Sequence, residues 1–315
     1  MSASDAPALD VTPASTWPGR CALALRDIKV AHSVFALPFA VLAACMAFVA
    51  SGEASGRFAG QLALIVVCMV LARTWAMLIN RIADRHLDVG NARTERRAMA
   101  SGRLRRRDGA IIAALCAAGF ILTCSGFLLW FANPWPLLLC VPVLAWIGLY
   151  SFTKRFTALC HLFLGAALAT SPVAAVIAVD PAVLFTVTGW AVLHLAGFVV
   201  LWVAGFDIAY ALQDLDFDRA RGLHSIPAWL GWRRAMVVSR VMHVLALAAL
   251  AGAWWWEPGF GVLMLLATIA VAGLLVWEHG VIRRRGMAGI PMAFFTINGV
   301  VSVLLGLAGS VDVVL

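Results

Sequence analysis

Charge is what this 315-residue chain has least of: only 13% of its residues are Asp, Glu, Lys or Arg, about half the roughly 25% usual in soluble domains. Set beside 63% hydrophobic residues, that shortage excludes a water-soluble globular protein and marks an integral membrane protein. Strand-like apolar–polar alternation is missing from the apolar runs, which excludes an outer-membrane barrel and leaves a helical bundle. No polar stretch between runs exceeds roughly 30 residues, so no separate soluble domain is expected. The cysteines number seven, with no CxxC spacing, and Cys45, Cys68, Cys116, Cys124, Cys140 and Cys160 lie inside apolar runs. They read as small core residues, not as disulfides or metal ligands. The opening MSASDAPALDVTPASTWPGR lacks the charged-then-apolar form of a signal peptide. It reads as part of a disordered cytoplasmic tail over residues 1–28, ahead of one transmembrane domain over 29–315.

Apolar runs, by contrast, are plentiful. Crossing about 30 Å of hydrocarbon takes about 20 helical residues, and runs of that order fall near 33–50, 58–80, 109–131, 134–151, 158–178, 181–206, 234–253, 259–279 and 290–311. The expectation is an all-α bundle of about nine transmembrane helices. The N-terminal arm and the loops after the second, fourth, sixth and eighth runs hold 21 of the 24 Lys and Arg, whereas the opposite loops hold only Arg57. By the positive-inside rule the basic side is cytoplasmic, as expected for a bacterial-type inner membrane. A net charge of +8 could suggest nucleic acid. These arginines, however, flank hydrophobic spans and aspartates, so no nucleic acid is expected and anionic lipid or a phosphorylated substrate is the better partner.

Carboxylates near hydrocarbon are costly and therefore informative, and they fall in two clusters on that basic side. In NRIADRHLD, Asn80, Asp84 and Asp88 are spaced by four and form one helical stripe, with Arg73 two turns earlier. In DIAYALQDLDFD, Asp207, Tyr210, Asp214 and Asp218 step by three, four and four, again one helical face, while Asp216 falls off it. Each cluster ends an even-numbered span, so the two stripes stand at one height. Facing carboxylates repel unless cations lie between them; Mg²⁺ suits such a site, because it takes one or two carboxylates and completes its shell with water and substrate phosphate. Arg81, Arg85, Arg93, Arg96 and Arg97 are placed to hold phosphate oxygens. The expected architecture is thus a helical bundle with a cytoplasmic polar cap over its site.

At these residues the chain resembles the UbiA superfamily of intramembrane prenyltransferases. Asn80, Asp84 and Asp88 keep an NxxxDxxxD spacing, and Asp214 and Asp218 a DxxxD, with Asp207, Tyr210 and Gln213 in a longer DxxYxxxD form. RTERRAMASGRL resembles the family's RTxxRPLxSG segment through Arg93 and Arg97, with Ala98 where Pro is usual; YSFTKRFT resembles YxxxKRxT through Tyr150, Lys154, Arg155 and Thr157. Arg81 stands where many members carry Asp, which removes one possible metal ligand. HSVFALPF, the second acidic cluster and the Asn298 segment look closest to the 4-hydroxybenzoate polyprenyltransferase-like subgroup, including members of futalosine-route menaquinone synthesis.

The resemblance implies Mg²⁺-dependent transfer of a polyprenyl group from its diphosphate to an aromatic acceptor, 4-hydroxybenzoate-like or dihydroxynaphthoate-like, in ubiquinone or menaquinone biosynthesis. Asp84, Asp88, Asp214 and Asp218 are the implied metal ligands. Arg93, Arg97, Lys154 and Arg155 are the implied diphosphate contacts. Asn80 either ligates metal or orients Asp84. Tyr210 either bonds Asp207 or faces the allylic cation, and Asp207 is a candidate base. His32 is a candidate for the edge of the aromatic pocket, whereas His161, His194, His243 and His279 read as packed or interfacial. Most of the 13 tryptophans read as an interfacial belt. The competing class is a transporter with a carboxylate site, although transporters place such groups at the midplane. A CDP-alcohol phosphotransferase would concentrate its aspartates in one motif, whereas these lie on two helices.

Overall fold

The computed structural model describes residues 16–28 and 35–315; within them every regular element is helical. Eight helices are long and apolar enough to cross a membrane, and a ninth apolar helix, Leu37–Ser51, is shorter. The nine expected runs therefore correspond to eight spans and one helix of 15 residues. Residues on the outside of the bundle are large and apolar: Leu122, Leu129 and Val276 are each about three-quarters exposed. On a water-facing surface a patch of that kind would aggregate; against lipid it is the expected face.

Helix α1 (Trp17–Asp27) corrects the sequence reading, which made residues 1–28 a disordered tail. Its signals are modest but present. Thr16 caps it by accepting from Gly19 N–H, Pro18 stands in the first turn, and Ala24 and Ile28 bury themselves against Leu78, Ala98, Met99 and Leu104. Residues 1–15, and with them the rest of that tail, lie outside the described residues, as does His32.

After α2 (Leu37–Ser51), the 35-residue α3 (Ser55–Val89) runs past the apolar core, so that its last turns carry Asn80, Asp84 and Asp88. Helices α4 (Arg106–Phe131), α5 (Trp135–Thr153) and α6 (Cys160–Val179) follow; α5 and α6 contain Pro142 and Pro172. Helix α7 (Val187–Ala211) is the post of the bundle, buried along most of its length, with Phe198 and Trp202 stacked on each other and Phe39 of α2 packed at a steep angle against both. Close approach depends on small residues: a Cβ at Gly165 of α6 would run into the backbone of Val200 on α7, and one at Gly306 into Pro38. This is how helices associate when no hydrophobic difference from lipid drives them.

Beyond Ala211 the chain does not continue as one helix. Leu212–Asp214 tighten into a 3₁₀ turn before the six-residue α8 (Leu215–Ala220). A 3₁₀ turn winds three residues per turn in place of 3.6, so Asp207, Tyr210, Asp214 and Asp218 do not share the single face their spacing suggested. Helices α9 (Ile226–Trp256), α10 (Val262–Arg285) and α11 (Asn298–Val314) complete the bundle, with a π-helical turn at Met292–Ile297 leading into α11.

Candidate active site

The two acidic clusters, more than a hundred residues apart in sequence, meet. The segment after α3 folds back through turns at Asn91–Thr94 and Arg97–Ser101. It thereby delivers Asn91 and Arg93 to the end of α7: Asn91 Nδ2 donates to Asp214 Oδ1 at 2.9 Å, and Arg93 Nε to the same oxygen at 2.9 Å, with Arg93 Nη2 paired to Oδ2. Arg93 Nη1 also donates to the Tyr210 hydroxyl at 3.0 Å, and its guanidinium lies over the Tyr210 ring. The Tyr210 hydroxyl thus accepts from Arg93, while its ring packs on Phe294 with centroids 4.1 Å apart. Burial alone would lower the Arg93 guanidinium, but its bonds and charge interactions with Asp214 outweigh that and hold it above the usual arginine value. It is a permanent cation.

Each carboxylate of the first stripe is likewise balanced by a cation. Asp84, almost fully buried, accepts from Lys154 Nζ at 2.7 Å and Arg155 Nη2 at 3.1 Å, both from the segment after α5. Asn80 donates to Asp84 Oδ2 at 3.4 Å, consistent with an orienting role. Asp88 receives both its bonds, at 2.8 and 3.0 Å, from Arg97 Nη1. Buried charges need such partners, since desolvation otherwise exceeds the gain. Asp218, also buried, accepts from the Ser225 hydroxyl at 2.8 Å, and Lys154 is close enough for its charge to act on Asp214 and Asp218 as well. Asp216 is exposed.

Two partners escaped the sequence reading. Asn91 stands outside every motif quoted above, and His161 reads from sequence as packed or interfacial. His161 is buried, but its Nδ1 lies 2.7 Å from Asp207 Oδ2 and its Nε2 accepts from the Ile226 backbone N–H at 3.3 Å. An Nε2 that accepts must carry its lone pair, so the proton sits on Nδ1 and is donated to Asp207. The signal available in sequence was only the histidine's position beside the motif after the fourth span.

Alongside this polar cap, between α3, α4, α5 and α6, is an apolar cavity of about 230 Å³, lined by residues that include Phe120, Phe127, Leu164 and Leu168. Arg73 and Tyr150 supply polar groups to its lining. Among the described residues Arg73 makes no ion pair or hydrogen bond, and Tyr150 shares the same cavity wall.

The donor set at the cap is made of oxygens, with no sulfur, as a hard divalent cation requires. Among the described residues, however, no three acidic, histidine or cysteine side chains converge as a ready metal cage. The expected diphosphate ligands Arg93, Arg97, Lys154 and Arg155 instead stand against the expected metal ligands.

Residues 36–300 match the UbiA prenyltransferase family. The chain is 33% identical over 239 residues to a protein named 4-hydroxybenzoate octaprenyltransferase from Acidovorax ebreus, covering 74% of this chain and 76% of that protein. It is 32% identical over 251 residues to the protein of the same name from Klebsiella pneumoniae, covering 79% and 83%. Among solved structures, the apo form of a UbiA homolog from Aeropyrum pernix K1 superposes with a TM-score of 0.77 at 29% identity, covering 90% of this chain and 98% of that one. A UbiA homolog from Archaeoglobus fulgidus, solved with GPP and Mg²⁺, shares the fold with a TM-score of 0.66 at 18% identity, covering 93% and 100%. The transporter alternative falls with these matches: this chain is an integral membrane enzyme belonging to the UbiA prenyltransferase family.

Proposed function

We propose that the protein transfers a polyprenyl group from polyprenyl diphosphate to a carboxylated aromatic acceptor, 4-hydroxybenzoate-like or dihydroxynaphthoate-like, in a Mg²⁺-dependent reaction of ubiquinone or menaquinone biosynthesis. The observation that carries this reading is the cap of cation-balanced carboxylates beside an apolar cavity. Such a site suits an amphipathic donor: an isoprenoid chain in the cavity, open toward lipid, and a diphosphate among the charges. The relatives' name and the GPP and Mg²⁺ in the Archaeoglobus fulgidus structures support it. The excess of Lys and Arg on the cap's side supports a cytoplasmic-facing site, in an inner membrane, by the positive-inside rule.

Asp84, Asp88, Asp214 and Asp218 would hold the metal, which, when bound, supplies positive charge to the leaving diphosphate. The chain's own residues do the rest. Lys154 and Arg155, now on Asp84, Arg93, now on Asp214, and Arg97, now on Asp88, exchange these carboxylates for diphosphate oxygens as substrate enters. As the C1–O bond breaks, its electron pair leaves with the diphosphate, and the ring attacks C1 to form a carbon–carbon bond. Tyr210, Phe206, Phe294 and Phe295 form an aromatic wall next to Asp214, suited to an allylic cation. The displaced ring proton goes to Asp207, one of whose oxygens is held by His161; an acceptor bearing its carboxylate at the attacked carbon loses carbon dioxide instead. Arg73, unpaired among the described residues at the cavity wall, is the group for the acceptor's carboxylate, with Tyr150 beside it.

The test is an assay of the purified protein with several prenyl diphosphates against 4-hydroxybenzoate, naphthoate-type acceptors and no acceptor. Prenylated aromatic product with one acceptor class is expected; diphosphate hydrolysis alone would contradict the reading.

A further inference from the structure

Arg81 is a buried cation inside the first acidic stripe, one residue after Asn80 and three before Asp84. Its Nη1 donates to Asn80 Oδ1 at 3.0 Å, and its only ion pair among the described residues is with Asp27 of α1, Nε to Oδ2 at 3.5 Å. Both side chains of that pair are about nine-tenths buried. Arg97 and Asp88 lie within electrostatic range of the same guanidinium. The second oxygen of Asp27 is also used: Oδ1 accepts from the backbone N–H of Ala98 at 2.8 Å, one residue after Arg97. Helix α1 is fixed in that place by Ala24 and Ile28 in the cluster with Leu78, Ala98 and Met99, and by Arg20 against Asp108 at the start of α4.

We propose that Asp27 is a positioning residue for the active site: from α1 it holds Arg81 out of the carboxylate stripe and anchors the turn that carries Arg97 over Asp88. This rests on the reading that the stripe binds a divalent cation. Positions 81, 84 and 88 share one helical face, so the guanidinium's alternative partners are Asp84 and Asp88. A buried guanidinium deprived of its carboxylate takes the nearest remaining one, and here those are the groups a cation would use. Without Asp27, Arg81 competes with the metal. The N-terminal helix is therefore a working part of the site.

The inference predicts metal affinity directly, without turnover. With Mn²⁺ as the probe and inorganic diphosphate present, free Mn²⁺ is followed by electron paramagnetic resonance on the full-length protein in detergent. Asp27→Asn is expected to bind Mn²⁺ roughly ten- to a hundredfold more weakly, the range for losing a group that orients metal ligands. Adding Arg81→Met to that variant removes the competitor and returns affinity to within about threefold of wild type, the two effects being coupled. Arg81→Met alone, with Asp27 intact, binds at least as tightly as wild type. Unchanged binding in Asp27→Asn, a double variant as weak as Asp27→Asn, or a tenfold loss in Arg81→Met would each overturn the proposal. Absence of Mn²⁺ binding by wild type would instead remove the metal reading on which it stands.

Discussion

Lys154 Nζ and Asp84 Oδ2 lie 2.7 Å apart, 70 residues apart in sequence, joining the end of α5 to the last turns of α3. With Arg155 on the other oxygen, Asp84 holds the two cations proposed to pass to the diphosphate. Lys154→Met removes one charge-assisted bond, commonly about 1.5–3 kcal/mol. The expected result is a KM for prenyl diphosphate raised roughly ten- to a hundredfold, at 1.4 kcal/mol per decade, with KM for the aromatic acceptor unchanged. Steady-state kinetics with each substrate varied in turn check this.

Arg73 gives the complementary prediction on the acceptor side. Arg73→Leu raises KM for a carboxylated acceptor by roughly one to two decades, the worth of a charge-assisted bond. It leaves turnover of a phenol lacking the carboxylate within about twofold of wild type. Equal losses with both acceptors would assign Arg73 to packing of the cavity.

The first stripe was legible because α3 is one uninterrupted helix through Val89, so a spacing of four in sequence remained a face in space. The second was only half legible. Nothing between Ala211 and Leu215, neither Gly nor Pro, announces the 3₁₀ turn, and that turn parts Asp214, on Arg93, and Asp218, on Ser225, from Asp207, which meets His161 from within α7. Helix α1 was missed because 11 residues rarely form a stable helix alone; its stability comes from docking, which periodicity does not encode. Asn91 was missed for the same reason, its partner lying 123 residues away.

Gly165 tests the packing that sets α6 against α7, and with it the His161–Asp207 contact. A methyl group there meets the Val200 carbonyl, a backbone atom that cannot rotate aside. Gly165→Ala should cost about 1–3 kcal/mol, as overpacking does, read as a lower melting temperature in detergent; a Gly273→Ala control, where a Cβ meets nothing within 4 Å, should not share the loss.

Glu257, in the connection after α9, supplies a pH dependence of stability. Its burial raises the carboxyl above the usual glutamate value despite an opposing bond from Gly259 N–H. The folded state therefore keeps a proton that the unfolded chain gives up at lower pH, and stability falls as pH rises through the window above the ordinary value. Melting curves in detergent from about pH 5 to about pH 8 should show a smaller decline for Glu257→Gln than for wild type. Parallel curves would contradict the assignment.

The central claim is that the paired acidic clusters form one metal-dependent prenyl-transfer site. Its most direct measurement is prenylated product formed by purified wild type, Asp84→Ala and Asp214→Ala, each with Mg²⁺ and with chelator, alongside size-exclusion profiles showing folded protein. Product is expected from wild type only with Mg²⁺, with a loss of at least roughly a hundredfold in either variant, the scale for removing a main electrostatic contribution to a transition state. Full activity in either folded variant, or wild-type turnover undiminished by chelator, would contradict it.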